Sequence, residues 1–345
     1  MYEGFYRLKE NPFRLTPDPA FICMTEQHQE ALSGLIYSAC TRPGLSVLVG
    51  EAGTGKTTLL YALLGLLEKR HYVTAVCTNP TLTRAEFYDV LMMKFEVQCD
   101  STLKSRQLAA LEESICRNRA QGRVSVLIVD EAQRLSPELL EEVRLLLNME
   151  TATEKLLQII MAGQPELIEV LRQPQLRQLK QRVSSICKLK PLNRDELALY
   201  LHHRLTHAGL ATQSLFPEET IDAIFAYTQG LPRLVNSLCD AALQTGFALQ
   251  SPVITMSIID EVAGDLDLTR SKDQEALQLK AHLEHIGPEI VRGAIPVPEK
   301  LAGTNGALQK GKNGTSSVEV QIPLQKYARR QQSLGFFAGL IERWK

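Results

Sequence analysis

The sequence lacks several features that would place it in a special class of protein. No apolar run approaches the roughly 18 residues that a membrane-spanning helix needs, and residues 1–14 contain no apolar segment typical of a secretory signal. The 38 basic and 39 acidic residues give a formal net charge of −1, so no global attraction to nucleic acid or to acidic membranes is expected. The remaining composition is ordinary, and 345 residues allow two domains. We therefore expect a cytoplasmic protein without a transmembrane segment.

Cysteine-based chemistry is also poorly represented. The seven cysteines are scattered and include no C-x-x-C pair, which favours buried, reduced thiols over a disulfide framework or a metal site. His202, His203 and His207 lie close together on a predicted helix, but no nearby acid or cysteine completes a set of metal ligands. We interpret these histidines as part of a solvated helix face.

A glycine-rich stretch, G-E-A-G-T-G-K-T, begins at Gly50 and matches the pattern G-x-x-x-x-G-K-[ST]. It follows an apolar, β-branched run at residues 45–49 and precedes leucines at helical spacing, so it is predicted to join a buried strand to a helix. In that context the backbone N–H groups and the helix N-terminus bind phosphate oxygens. The predicted nucleotide-binding residues are Gly50, Glu51, Ala52, Gly53, Thr54, Gly55, Lys56, Thr57 and Thr58.

Two residues of this stretch have specific predicted roles. Lys56 would contact the β- and γ-phosphates, and the hydroxyl of Thr57 would be a ligand of Mg²⁺. A second apolar run, residues 124–129, ends in Asp130 and Glu131. Beside a phosphate-binding loop, Asp130 would hold Mg²⁺ through its waters, and Glu131 would orient and deprotonate the attacking water.

Strands and helices alternate along the first part of the chain. Further buried strands are predicted at residues 73–77, 156–162 and 183–189, and continuous apolar strands of this kind favour a mostly parallel sheet covered by helices on both faces. The ligand site should lie at the carboxyl ends of the strands, where Gly50, Asp130, Glu131 and Gln164 all fall. The predicted fold class is therefore α/β, a P-loop NTPase.

Three regions are predicted along the chain. Residues 1–190 form the nucleotide-binding core with an N-terminal extension, and residues 191–268, with helices at 194–208, 217–229, 232–249 and 257–268, form a small all-α lid. Residues 269–345 contain a helix, a flexible linker rich in Gly, Pro, Asn, Ser and Thr, and a short amphipathic C-terminal helix. Such a tethered helix is a partner-docking element, a weak membrane-surface anchor or an unimportant frayed tail.

Two further segments have less specific predictions. Residues 1–20 are rich in aromatic residues and proline and are expected to lie extended over the domain surface, either simply packed there or lining one side of an adenine pocket. Residues 172–182 are predicted to form a basic helical stretch.

Several motifs resemble the AAA+ ATPases of the ExeA/GspA type. The similar segments include Asn11-Pro12-Phe13, Val129-Asp130-Glu131-Ala132-Gln133, Gly163-Gln164-Pro165-Glu166-Leu167, residues 176–182 and Gly230-Leu231-Pro232-Arg233. The resemblance covers about residues 1–268 and identifies the α/β core as an AAA+ domain. It implies an ATPase that uses Mg²⁺.

The resemblance implies roles that the spacing of residues does not. Gln164 would contact the γ-phosphate or position the water, and Arg233 would reach the nucleotide from the lid. Arg182, with Arg177 as the alternative, would enter the site of a neighbouring subunit as an arginine finger, which requires a homo-oligomer.

The biological process is left open between two classes of machine. The resemblance implies a protein partner in a secretion, pilus or polysaccharide-export system at the inner membrane, with the ATPase in the cytoplasm or peripheral to that membrane. The same core is similar to transposition regulators of the TnsC/TniB type, for which DNA is the partner. A third hypothesis, an ATP-binding scaffold with negligible turnover, is disfavoured by the intact Asp130-Glu131 pair and Arg233.

Overall fold

A five-stranded sheet forms the centre of the predicted nucleotide-binding core in the computed structural model, which describes residues 1–78, 80–210 and 214–271. The strands occur in the order β2-β3-β4-β1-β5, and every neighbouring pair is parallel. This arrangement confirms the predicted fold class. The strands are Leu45–Gly50 (β1), Tyr72–Cys77 (β2), Val124–Val129 (β3), Leu157–Gly163 (β4) and Val183–Leu189 (β5).

The apolar patterns of the strands match their places in the sheet. Every residue of β1 and β4 is buried, as expected for central strands that are covered on both faces. In β5, at one edge, exposed residues alternate with more buried ones, because one face of that strand meets solvent.

Twelve α-helices are present in the described part of the chain. Polar caps start several of them: the Ser136 side chain accepts a hydrogen bond from the backbone N–H of Leu139, and Asn193 and Glu196 form a capping box. The helices are Tyr2–Phe5 (α1), Glu26–Thr41 (α2), Lys56–Glu68 (α3), Arg84–Lys94 (α4), Lys104–Ala120 (α5), Pro137–Leu146 (α6), Glu166–Arg172 (α7), Arg177–Lys180 (α8), Arg194–His207 (α9), Glu218–Thr228 (α10), Pro232–Ala248 (α11) and Met256–Asp265 (α12).

Helices cover both faces of the sheet. On one face, leucines of α2 and α3 such as Leu35 and Leu63 pack with Ile160 of β4. On the other face, side chains of α4 to α8 pack against the opposite side of the same strands, for example Leu111 against the group that contains Leu127. The buried apolar surface on the two faces holds the strands in register.

The last four helices, α9 to α12, form a separate apolar core that also includes the opening segment of the chain. Tyr2, Phe13 and Phe21 are buried in this core. The hydroxyl of Tyr2 donates a hydrogen bond to Asp240, and that of Tyr6 donates to the carbonyl of Ser251 at 3.0 Å. The expectation that this segment lies over the surface is right for residues 14–17, which are exposed, and wrong for the earlier aromatic residues, whose side chains complete the helical core.

The basic stretch at residues 172–182 is not one helix. Helix α7 ends at Arg172, a 3₁₀ turn spans Pro174–Leu176, and α8 begins at Arg177. Pro174 cannot donate a backbone hydrogen bond and restricts the residue before it, so the helix is interrupted there.

The predicted domain boundaries at residues 190 and 268 stay predictions. The predicted linker and C-terminal helix, and most of the predicted helix after residue 269, lie outside the described residues. Among the helices that the structure describes, none is both long and apolar enough to cross a membrane.

Replacing Gly230 by Ala should strongly destabilise the protein. Gly230 has φ = 70°, and a Cβ atom at this position would lie 1.9 Å from the carbonyl oxygen of Leu192. We expect the free energy of unfolding to fall by about 3 kcal/mol or more, measured by urea denaturation. Gly65→Ala is the matched control, because Gly65 is exposed in α3 with open space around it. That variant should gain about 0.5–1 kcal/mol. Equal effects of the two substitutions would contradict the steric argument.

Candidate functional site

The predicted phosphate-binding loop, residues 50–57, joins the end of β1 to the start of α3. Gly53 and Gly55 have φ values of 84° and 95°, a conformation that side chains disfavour, and this lets the backbone fold back tightly. The ammonium group of Lys56 is buried and donates hydrogen bonds to the carbonyls of Gly50 at 2.7 Å and Glu51 at 2.9 Å. Burial lowers the pKa of Lys56, and the carboxylates of Glu131 and Asp130 oppose that shift.

The two acids that follow β3 meet this loop directly. The hydroxyl of Thr57 donates to Asp130 Oδ2 at 2.8 Å, and the backbone N–H of Glu131 donates to Asp130 Oδ1 at 2.9 Å. Asp130 is buried, and Glu131 is partly exposed at a left-handed backbone position, φ = 53°. A hydroxyl and a carboxylate in contact are the hard oxygen donors that suit Mg²⁺.

Gln164 follows β4, next to the acids. Its backbone N–H donates to Gln133 Oε1 at 3.1 Å, and it lines the same pocket as Lys56 and Glu131. β1, β3 and β4 are parallel neighbours, so their carboxyl ends lie at one edge of the sheet. The loop after β1, the two acids after β3 and Gln164 after β4 therefore meet at that edge.

Arg233 comes to the site from the helical part of the chain. It lies in the first turn of α11, and its backbone N–H donates to the carbonyl of Gly53 at 3.2 Å. A Cβ atom on Gly53 would lie 2.8 Å from the Cβ of Arg233, so the glycine permits this close approach. The start of α11 is therefore packed directly against the phosphate-binding loop.

A pocket of about 570 Å³ is enclosed by these groups and by the opening segment. Residues 14–18 and 21–23 of the opening segment line the pocket, and so do Tyr200, Arg204 and Asn236 of the predicted lid. The opening segment thus lines the pocket in addition to completing the helical core. Of the predicted site residues, Ala52 to Thr58, Glu131, Gln164 and Arg233 line the pocket, whereas Gly50, Glu51 and Asp130 touch residues that do.

His28 is a pocket residue that the sequence did not indicate. Its ring Nδ1 is 2.7 Å from Thr25 Oγ1, and the ring also hydrogen-bonds the backbone of Thr54, so α2 is linked to the phosphate-binding loop. Burial lowers the pKa of His28. His28 lies in α2, and nothing in the local sequence shows that this face of the helix packs against the loop.

Tyr200 and Arg204 were also missed. The guanidinium of Arg204 donates to the hydroxyl of Tyr200 at 2.7 Å, and that hydroxyl donates to Asn236 at 2.8 Å. Tyr200 and Arg204 are four residues apart on α9, a spacing that places two side chains on one helix face. The spacing alone does not show that this face forms the wall of a pocket.

The two candidate arginine fingers are not in this pocket. Arg182 lies just before β5, at the amino end of the strand, and its guanidinium donates to the carbonyl of Leu147 at 3.3 Å. The register pairs Val183 with Leu45 and Leu189 with Gly50, so Arg182 is at the edge of the sheet opposite the phosphate-binding loop. Arg177 is exposed on α8.

No group of three or more His, Cys, Asp or Glu side chains that could hold a metal occurs within residues 1–78, 80–210 and 214–271. The rings of His203 and His207 stack with their centroids 6.4 Å apart. The ring of His207 also meets the ring of Phe21 edge-on, with their centroids 4.4 Å apart.

Sequence comparison relates the chain to one protein family and to one curated protein. A family model described as an AAA domain matches residues 40–171. General secretion pathway protein A of Aeromonas hydrophila is 39% identical over 269 residues, which are 78% of this chain and 48% of that protein. The chain therefore spans about half the length of this curated relative.

Solved structures of the same fold have low sequence identity. ORC of Drosophila bound to DNA superimposes with a TM-score of 0.60 at 17% identity, covering 79% of this chain and 67% of that one. CDC6P of Pyrobaculum aerophilum gives 0.57 at 17% identity, with 76% and 70% covered. The RuvB Holliday junction branch migration motor of Thermotoga maritima gives 0.52 at 16%, with 77% and 78% covered. These similarities show the fold alone.

Proposed function

We propose, on the premise that residues 40–171 form an AAA domain related to general secretion pathway protein A, that this chain binds ATP with Mg²⁺ and hydrolyses it. The observation that carries the proposal is the contact between Thr57 and Asp130 at 2.8 Å, with Lys56 and Glu131 lining the adjoining pocket. A phosphate-binding loop without paired acids would bind a nucleotide, but it would have no group to accept a proton from water.

The phosphates are bound by charge and by backbone donors. The ammonium group of Lys56 donates to the carbonyls of Gly50 and Glu51. Rotation of the side chain would bring it to the β- and γ-phosphates. Thr57 and Asp130 would hold Mg²⁺, which neutralises charge on the β- and γ-phosphate oxygens when it is bound. The opening segment and Tyr200 form the part of the pocket that remains for the adenosine.

Water activation is assigned to Glu131. It lines the pocket one residue beyond Asp130, so its carboxylate can accept the proton of a water in line with the γ-phosphate. Gln164, at the end of the adjacent strand, would position the γ-phosphate or the water, and Arg233 would add positive charge from the lid side.

The site is proposed to work in an oligomer. Arg182 is at the opposite edge of the sheet from the phosphate-binding loop and cannot serve its own pocket, which fits a finger that acts on a neighbouring copy. Arg177 is the alternative finger.

The proposed process is the assembly or operation of a secretion, pilus or polysaccharide-export machine. The relative's name, general secretion pathway protein A, supports this assignment, and the chain covers 48% of that protein. The cytoplasmic location and the inner-membrane partner stay predictions.

ATP-dependent regulation of transposition on DNA is the second candidate. It is supported by exposed basic residues near β5, namely Arg177, Lys180, Lys188 and Lys190, and by solved structures of the same fold that include a DNA-bound ORC.

Two substitutions should separate binding from turnover. Lys56→Ala should lose most ATP affinity, because the phosphate charge is no longer neutralised.

Glu131→Gln should keep the ATP affinity of the parent protein, because the amide preserves shape but cannot act as a base. It should lose about 10²–10⁴-fold in kcat. Nucleotide titration and phosphate release measure the two effects. Lys69→Ala, exposed after the end of α3, is the control. Unchanged affinity of Lys56→Ala, or near-wild-type turnover of Glu131→Gln, would refute these assignments.

Replacing Arg182 by Ala should preserve ATP binding and abolish hydrolysis, since a finger supplied by a neighbour contributes about 10³–10⁵ in rate where one has been measured. Mixed with Glu131→Gln protein, this variant should regain activity, because some interfaces then join an intact acid to an intact arginine. Arg177→Ala tested in parallel identifies which arginine acts. Full activity in a demonstrably monomeric sample would eliminate both.

Binding to duplex DNA distinguishes the two processes. The export assignment predicts no ATP-dependent assembly on DNA at physiological salt. The transposition assignment predicts filaments that need ATP and weaken steeply with salt, because counterions are released from the phosphates. Sedimentation with duplex DNA over a salt series measures the difference.

A further inference from the structure

The side chain of Gln133 bridges the acid-bearing turn and the end of β4. Gln133 lies in the 3₁₀ turn Ala132–Arg134 that follows the two acids. Its Nε2 donates to Glu131 Oε2 at 2.8 Å, and its Oε1 accepts from the backbone N–H of Gln164 at 3.1 Å. The Gln133 amide thus contacts Glu131, the proposed base, and Gln164, which is proposed to position the γ-phosphate or the water.

Both contacts require an amide. The carboxylate of Glu131 needs a donor, and the backbone N–H of Gln164 needs an acceptor, so the two partners fix which way the amide points. An ionised glutamate would keep the acceptor and lose the donor. An apolar side chain of the same length would lose both.

The surrounding backbone is built closely around this amide. A Cβ atom on Gly163 would lie 2.7 Å from Gln133 Oε1 and 3.3 Å from the backbone nitrogen of Gln133. Ala132 is fully buried, and the backbone N–H of Arg134 donates to the carbonyl of Glu131 at 2.9 Å. The turn is therefore fixed on both sides, and the bare glycine at the end of β4 leaves the space that the amide occupies.

We propose that Gln133 is a positioning residue for hydrolysis: its amide sets the direction of the Glu131 carboxylate and ties it to the turn that carries Gln164. This inference rests on the proposed function, in which Glu131 is the base. Because the amide bonds Oε2, we assign the other oxygen, Oε1, to the attacking water. If the γ-phosphate displaced Gln164, the Gln133 side chain, which bonds both residues, would move Glu131 as well.

Two variants of Gln133 separate the bonds. Gln133→Glu keeps the acceptor for the Gln164 backbone and replaces the donor to Glu131 by a like charge. Gln133→Met removes both bonds at similar length. Gln121→Glu is the charge-matched control, because Gln121 is exposed just before the amino end of β3, away from the site.

The expected result is a loss in kcat with binding unchanged. Both Gln133 variants should lose about 10²-fold in kcat, the order expected when a reacting group is misplaced by about 1 Å. Their KM and their affinity for ATP should stay within about threefold of the parent protein, and Gln121→Glu should match the parent protein. In a Glu131→Gln background, followed by single-turnover hydrolysis of radiolabelled ATP, Gln133→Glu should cause no further loss, because Gln133 acts through Glu131.

Three results would overturn the inference. The first is a kcat of Gln133→Glu within about threefold of the parent value while Glu131→Gln is slow. The second is a loss from Gln133→Glu that is as large in the Glu131→Gln background as in the parent. The third is a fall in ATP affinity and melting temperature that accounts for the lost rate, which would make Gln133 only structural. Rapid turnover by Glu131→Gln itself would instead refute the proposed function.

Discussion

Parallel pairing among β1, β4 and β3 brings the parts of the site together. The register aligns Val49 with Gly163 and Val129 with Met161, so the loops that follow these strands leave the sheet at one edge. The alignment is maintained by apolar side chains on both faces, since a shift of one residue would exchange the buried sets between faces. The phosphate-binding loop, the two acids and Gln164 are consequently held by the rigid part of the molecule, which suits a site that must position a reaction.

The polar groups at this edge are buried but not isolated. Lys56 donates to two backbone carbonyls, Asp130 accepts from Thr57 and from the backbone of Glu131, and Gln133 joins Glu131 to the end of β4. A buried charge without such partners is costly to keep ionised. The network therefore gives these groups hydrogen-bond partners in place of water, and it restricts their orientation.

The helical part of the chain is connected to the same edge in two ways. The start of α11 bonds the phosphate-binding loop through Arg233 and Gly53, and the opening segment runs from the helical core to the wall of the pocket. A nucleotide in this pocket would therefore contact the sheet edge, the lid and the opening segment at once. A change in the position of α11 would alter a contact of the loop itself, because the backbone N–H of Arg233 donates directly to the carbonyl of Gly53.

Short-range sequence patterns specify the local parts of this protein. The phosphate-binding loop, the paired acids and the strands could be predicted because their signals are contiguous: glycines at fixed spacing, and β-branched apolar runs ending in polar residues. The other features depend on contacts between residues that are far apart in the chain. Tyr2 and Asp240 are bonded across more than two hundred positions of the chain, and no local pattern in residues 1–20 shows that partner. The same holds for His28 beneath Thr54 and for Gln133 between Glu131 and Gln164, since each depends on which helix face or strand end is brought alongside.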